Sequence, residues 1–186
     1  MARKRYIKDY RLVESVDDRG RIQTAYEYIG PAYGYVLGAQ TVRKERRRLL
    51  VVIILGWLAF FGALLPDAGS MHGVYVALPF VFGALPLGIV TDIVLTALPK
   101  AEPLRHQQAD RLANRYPPAA LFTAILPGIS LLGALVRLLL GGDVSRDDGA
   151  FALCAGAIIA CGWYLFSRKG RLACQVLDGD GDTLIK

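Results

Sequence analysis

Histidine occurs twice in this 186-residue chain and cysteine three times. His72 and His106 lie on either side of a long apolar block. Cys154, Cys161 and Cys174 form no CxxC pair, and no His/Cys group has zinc spacing. The HExxH, GxSxG, Walker and Gly-rich dinucleotide patterns are also missing. Ser70 and His72 share a short turn with no acid placed to orient them. DGDGD at 178–182 begins like a calcium loop, but Thr183 stands where the sixth-position glycine belongs. No twelfth-position glutamate follows to close such a site, so a tight turn between two tail strands is the simpler reading. These absences leave no nucleophile–base set. The expectation is a protein that is not an enzyme and holds no metal or cofactor.

Acidic residues are missing from the long apolar runs, with one exception at Asp92. The chain is 54% hydrophobic, and its apolar residues are gathered into four blocks, 49–65, 74–98, 119–140 and 150–166. Spans of roughly 17–25 apolar residues match a hydrocarbon core of ~30 Å. Their length and lack of strict alternation predict helices rather than barrel strands. The expected fold is an all-α membrane protein. It is a bundle of four transmembrane helices over 43–167, with a small β-rich cytoplasmic element.

Lysine and arginine are absent from the first connection, Pro66 to Gly73. The chain has 22 of them and a net charge of +6. Twelve precede Leu49, four lie between Pro99 and Tyr116, and four follow Phe166. Four spans put these three regions on one side, the positive-inside arrangement. Placement therefore accounts for the basic character without nucleic acid. Both termini are expected in the cytoplasm, with the protein in a plasma or inner membrane. A long charged stretch before Leu49 differs from the short leader of a secretory signal.

Residues 1–42 are aromatic and β-branched rather than continuously apolar. YIKDYRLVESV and RIQTAYEYIG flank DDRG and read as a β-hairpin. Tyr6 and Tyr10 share one strand face, and Tyr26 and Tyr28 share another. An isolated hairpin is marginal in water, so these tyrosines are a candidate partner surface. GPAYGYVLG is a candidate third strand. In the tail, 168–186, RLACQVL is strand-like and predicts a sheet made from both ends of the chain.

Arg43, Lys44, Arg46, Arg47 and Arg48 stand directly before the first span. Each contributes about 1 kcal/mol near an anionic leaflet. They lock topology and are candidate contacts for anionic lipid headgroups; regulated recognition of one particular lipid or protein is the sharper alternative. The loop 99–118 is read either as an interfacial helix, with Leu104, Arg111 and Leu112 toward the membrane, or as a solvated loop. Within lipid, spans associate by close approach through small residues. Ala152, Gly156 and Ala160 form such a packing stripe on the fourth span, and the cysteines read as packing residues. Pro79, Pro86 and Pro127 predict kinks.

Asp92 raises the sharpest question. An ionised aspartate at the bilayer centre costs roughly 2.5–3.5 kcal/mol. Asp92 lies six residues before Leu98, about 9 Å from the end of its span. Arg137 is too far along the normal to pair with it, and reads instead as snorkelling to the outer headgroups or meeting Asp143. Arg48, Thr96, Thr123, Lys100 and Arg168 are the expected partners low in the bundle. The candidate intramembrane polar site is therefore Asp92, Thr96, Thr123 and Arg48. A structural contact, a proton or cation site, and a subunit contact are the three roles it allows. Taken together, the sequence predicts a non-catalytic accessory, scaffolding or regulatory subunit of a larger membrane complex, binding a protein partner or itself. The alternative is a small oligomeric transporter or channel using Asp92 and the kinked spans.

Overall fold

The structure is a computed structural model that describes residues 8–16, 22–37, 39–66, 68–98, 104–140 and 145–177. The turn at 17–21 and the DGDGD segment lie outside them, as do Tyr6, Lys100 and Asp143. Most of the described chain is helical, and small sheets gather at one end of the helices. Among the described residues, four stretches are long and apolar enough to cross a membrane: Gln40–Leu64, Val74–Thr96, His106–Leu139 and Arg146–Ser167.

Helix α1 (Ala39–Leu64) begins ten residues before the apolar block expected to form the first span. The RKERRR run is thus part of this helix. Arg, Lys and Glu are good helix formers, so nothing in the run opposes continuation. The second apolar block is split. Helix α2 (Val74–Phe82) ends at Gly83, and α3 (Ala84–Thr96) follows. Pro86 has no N–H to give back to the preceding turn. A Cβ at Gly83 would come within 2.9 Å of the Phe80 carbonyl oxygen and into ordinary contact with the Pro127 ring at 3.5 Å.

The third stretch departs most from expectation. Helix α4 (His106–Asp110) runs into a π turn (Arg111–Arg115) and then α5 (Tyr116–Leu139). Pro117 and Pro118 do not end a separate interfacial helix. They sit in the first turn of α5, where proline is tolerated because the preceding π turn widens the register. The Tyr116 N–H bonds the Arg111 carbonyl, five residues back. Leu104 and Leu112 are buried in the protein rather than facing a membrane.

Helix α6 (Arg146–Ser167) starts with a capping box. Ser145 Oγ accepts from the Asp148 N–H at 3.1 Å, and Asp148 accepts in return from the Ser145 N–H. Asp148 also accepts from the Ser70 N–H at 2.9 Å, which ties the two connections at this end together. The buried face of α6 is Phe151, Ala155, Ile158, Gly162 and Leu165. Gly162 is the true close-approach residue: a Cβ there would come within 2.6 Å of the Ala124 backbone nitrogen. The stripe predicted for packing does not make this contact. Gly156 faces open space, Ala160 is exposed and Ala152 is half-buried. Helical spacing sets two small-residue stripes on α6, and the bulk of Phe151 and Ile158 selects the one beside them for burial.

Cys154 and Cys161 lie against Gly62 and Gly56 of α1, as packing residues do. Two cores fill the bundle. The one at the sheet end centres on Leu49, Ile53, Ile93, Tyr116 and Leu165. The other centres on Phe60, Phe80 and Phe151, with the first two rings stacked at 5.1 Å.

Strands β1 (Tyr10–Val16) and β2 (Ile22–Tyr28) pair antiparallel, with Tyr10 opposite Tyr28. A second sheet has the order β4-β3-β5, from β3 (Ala32–Tyr35), β4 (Leu104–Arg105) and β5 (Cys174–Leu177). Both of its pairings are antiparallel. The segments before α1 and after α6 therefore meet in one sheet. Tyr35, Leu104 and Leu172 belong to the same core as Leu49 and Ile93, so this sheet is seated on the helices.

Candidate functional site

Polar side chains inside the described protein are few. Glu45, Ser70, Thr123 and Ser130 are the buried ones. The Thr123 and Ser130 hydroxyls donate to Ala119 and Leu126 carbonyls of their own helix, so neither reaches across the bundle. Glu45 differs. It is 3% exposed and lies where α1 passes the end of α6. Arg171 Nη1 donates to its Oε1, with Arg48 at 3.4 Å and Arg168 at 3.8 Å from the same oxygen. One carboxylate thus gathers three guanidinium groups, leaving that corner with an excess of two positive charges. Its neighbours Arg43, Lys44 and Arg47 are exposed, while Arg46 is half-buried.

A second polar cluster joins the hairpin to the helices. His106 N–H donates to Tyr28 Oη at 2.8 Å, and Tyr28 donates to the Pro31 carbonyl at 2.9 Å. Burial pushes the Tyr28 phenol above its ordinary range, which favours this donating form. The His106 ring meets Asp9 at 3.1 Å and stacks on Tyr33. Tyr10 packs edge-on against Tyr28 at 5.3 Å. Two of the tyrosines expected to face a partner therefore contact their own chain. The side chain of Tyr26, like Tyr6, lies outside the described part of the chain.

Asp92 is not inside the bundle. Helix α3 buries Pro86, Leu87, Val90, Ile93 and Val94, and Asp92 lies on the other face with its side chain 59% exposed. Its partner is Arg111 at 3.5 Å, reaching from the π turn. The four residues predicted as one polar site are thus dispersed. Arg48 meets Glu45, Thr123 is turned inward, and the Thr96 hydroxyl donates to the Asp92 backbone carbonyl at 2.7 Å rather than to its carboxylate. Arg168, another expected partner, also goes to Glu45. The reason is rotational. Depth along a helix follows from sequence, but the face that a residue presents depends on the neighbours chosen. Arg137 lies against Gly69, with its guanidinium nitrogens 3.3 and 3.4 Å from where a Cβ would be.

Sequence reasoning misses the roles of Glu45 and Arg111. Glu45 is the lone acid inside RKERRR, which is the available signal. Arg111 falls in a stretch that reads as a membrane-facing helix or loop, because Pro117-Pro118 looks like a stop.

An open groove runs along the outer side of α3 and α5, with a volume of about 780 Å³. Leu85, Ile89, Phe122 and Leu126 line its apolar length. Asp92, Arg111, Asn114 and Arg115 line its polar end. Elsewhere, no group of three or more His, Cys, Asp or Glu among the described residues is placed to hold a metal ion. Comparison of the chain with protein-family models, curated proteins and solved structures finds no match.

Proposed function

We propose that this chain is a multi-pass integral membrane protein with both termini on the cytoplasmic side of a plasma or inner membrane. Its role is that of a non-catalytic accessory or scaffolding subunit in a larger membrane assembly. The observation that carries this reading is the β4-β3-β5 sheet. Three distant parts of the chain supply its strands, at the cation-rich end of four membrane-length helices. Among the described residues β5 is an edge strand, with Val176 and Leu177 partly exposed. Such an edge accepts a strand from a partner by main-chain hydrogen bonds. Cations at the same end fit the positive-inside rule.

The interior speaks for scaffolding over transport. Aromatic and branched side chains fill both cores, whereas ion and proton paths need several polar groups facing one cavity. Asp92 faces outward.

The test is gentle detergent extraction with a Val176→Pro variant beside the parent. The parent is expected to elute as a complex of fixed stoichiometry, and the proline, which removes an edge hydrogen bond, to release the partner. A monodisperse parent monomer with nothing bound overturns the reading. Proteoliposomes separate the rival: proton or solute flux that is present in the parent and lost in Asp92→Asn would establish transport instead.

A further inference from the structure

We propose that the groove between α3 and α5 is a binding site for one membrane phospholipid, with its phosphate at Arg111 and Arg115 and an acyl chain along the apolar wall. The inference rests on the membrane reading above and adds a ligand that the reading does not require.

Three features of the groove point to this occupant. The first is its length. From Tyr116, next to Arg115 at the mouth, to Leu126 is ten residues of α5, about 15 Å. That is half of a ~30 Å hydrocarbon core, the depth of one leaflet. The second is its polarity gradient. The long wall is Phe82, Leu85, Ile89, Phe122 and Leu126, and every charged lining residue is at one end. A soluble ligand has no use for such a wall, while a lipid has this shape. The third is charge. Two arginines and one aspartate line the mouth, an excess of one positive charge that complements one phosphate. Asp110 stands behind, where its carboxylate accepts from Asn114 at 2.6 Å.

The local backbone is built to this end. Arg111, Asn114 and Arg115 all belong to the π turn, and a widened turn re-aims side chains, often at functional sites. Asp92 holds Arg111 at the mouth through the 3.5 Å contact. Gly88 lines the groove, and a Cβ added there would meet nothing within 4 Å. A larger residue would therefore occupy the groove without striking the protein.

The experiment uses the full chain in phosphatidylcholine vesicles with a few per cent of phosphatidylglycerol bearing a photoactivatable acyl chain. Labelled peptides are mapped by mass spectrometry. The expected result is strong labelling of the 82–92 and 118–126 segments, beyond the baseline set by the exposed α1 positions Val51, Leu55 and Leu58. Gly88→Leu should lower the groove signal at least fivefold and leave the α1 signal unchanged. Arg115→Gln should weaken the preference for phosphatidylglycerol about fivefold, the share of one cation near an anionic lipid. A diacylglycerol probe, which lacks the phosphate, should label the groove no better than α1.

Groove labelling equal to that of α1, or insensitive to Gly88→Leu, overturns the lipid site and leaves the membrane reading intact. Equal labelling by diacylglycerol overturns the phosphate contact. Protection of the groove with crosslinks to a second copy assigns it to self-association instead. Absence of label on α1 as well as the groove refutes the membrane reading itself.

Discussion

Arg171 donates a hydrogen bond to Glu45 across 126 positions of sequence. The contact joins the helix that opens the bundle to the turn that follows its last helix. Arg168, one turn earlier, approaches the same carboxylate oxygen. With the core held this way, β3 and β5 leave the bundle side by side and pair. Burying one carboxylate is costly, and three nearby cations compensate it.

Removing that carboxylate should therefore hurt. Glu45→Ala leaves Arg48, Arg168 and Arg171 to repel one another. The loss should be about 2–3 kcal/mol, below the ~3–5 of a fully buried pair because all three arginines are partly exposed. Thermal unfolding in detergent reads it. Combining it with Arg171→Ala should cost less than the sum of the two. Additive losses would mean that the residues do not act together.

The two glycines of α6 make a sharp contrast. Gly162→Val pushes side-chain atoms into the Ala124 backbone and should cost about 3 kcal/mol or more. Gly156→Ala meets nothing and should stay within about 0.5 kcal/mol of the parent. Equal effects from the two would place the α5–α6 contact elsewhere.

Tyr28 gives the hairpin contact a pH dependence. Its phenol pKa is raised on folding, chiefly by burial. The stabilising contribution is therefore complete below the ordinary tyrosine range near 10 and declines as pH rises through the folded value. Hydrogen exchange at β1 and β2 should quicken in that alkaline window. Tyr28→Phe should remove the tyrosine-specific part and weaken the contact by about 1 kcal/mol at neutral pH. An alkaline profile identical in parent and variant would contradict this assignment.

Trp57 reports on the middle of the bundle. Its indole N–H donates to the Thr91 hydroxyl at 3.1 Å, and that hydroxyl donates to the Leu87 carbonyl at 2.7 Å. Thr91→Val leaves the indole without its partner and should cost about 1 kcal/mol, with a shift in tryptophan emission. An unchanged spectrum would count against the pair.

Much of the architecture is legible in the chain. Four apolar blocks are visible because a span needs a run of fixed length, and length needs no tertiary information. The strands at 10–16 and 22–28 stand out through their aromatic and β-branched content. The site is less legible. Asp92 stands out as the one acid in an apolar run, yet its partner comes from a turn that reads as a helix stop. Proline tells where a backbone donor is lost. Whether the chain ends there or widens by one residue depends on what packs around Tyr116.

Composition and spacing by themselves determined the four membrane-length helices found among the described residues and the end at which the cations gather, since both follow from transfer of side chains between water and oil. The tertiary structure alone decided which of two small-residue stripes is buried on α6, which acid lies at the heart of the arginine cluster, and which way Asp92 faces. Those outcomes turn on rotation about helix axes. Rotation is set by the shapes of neighbouring helices, which one-dimensional periodicity does not specify.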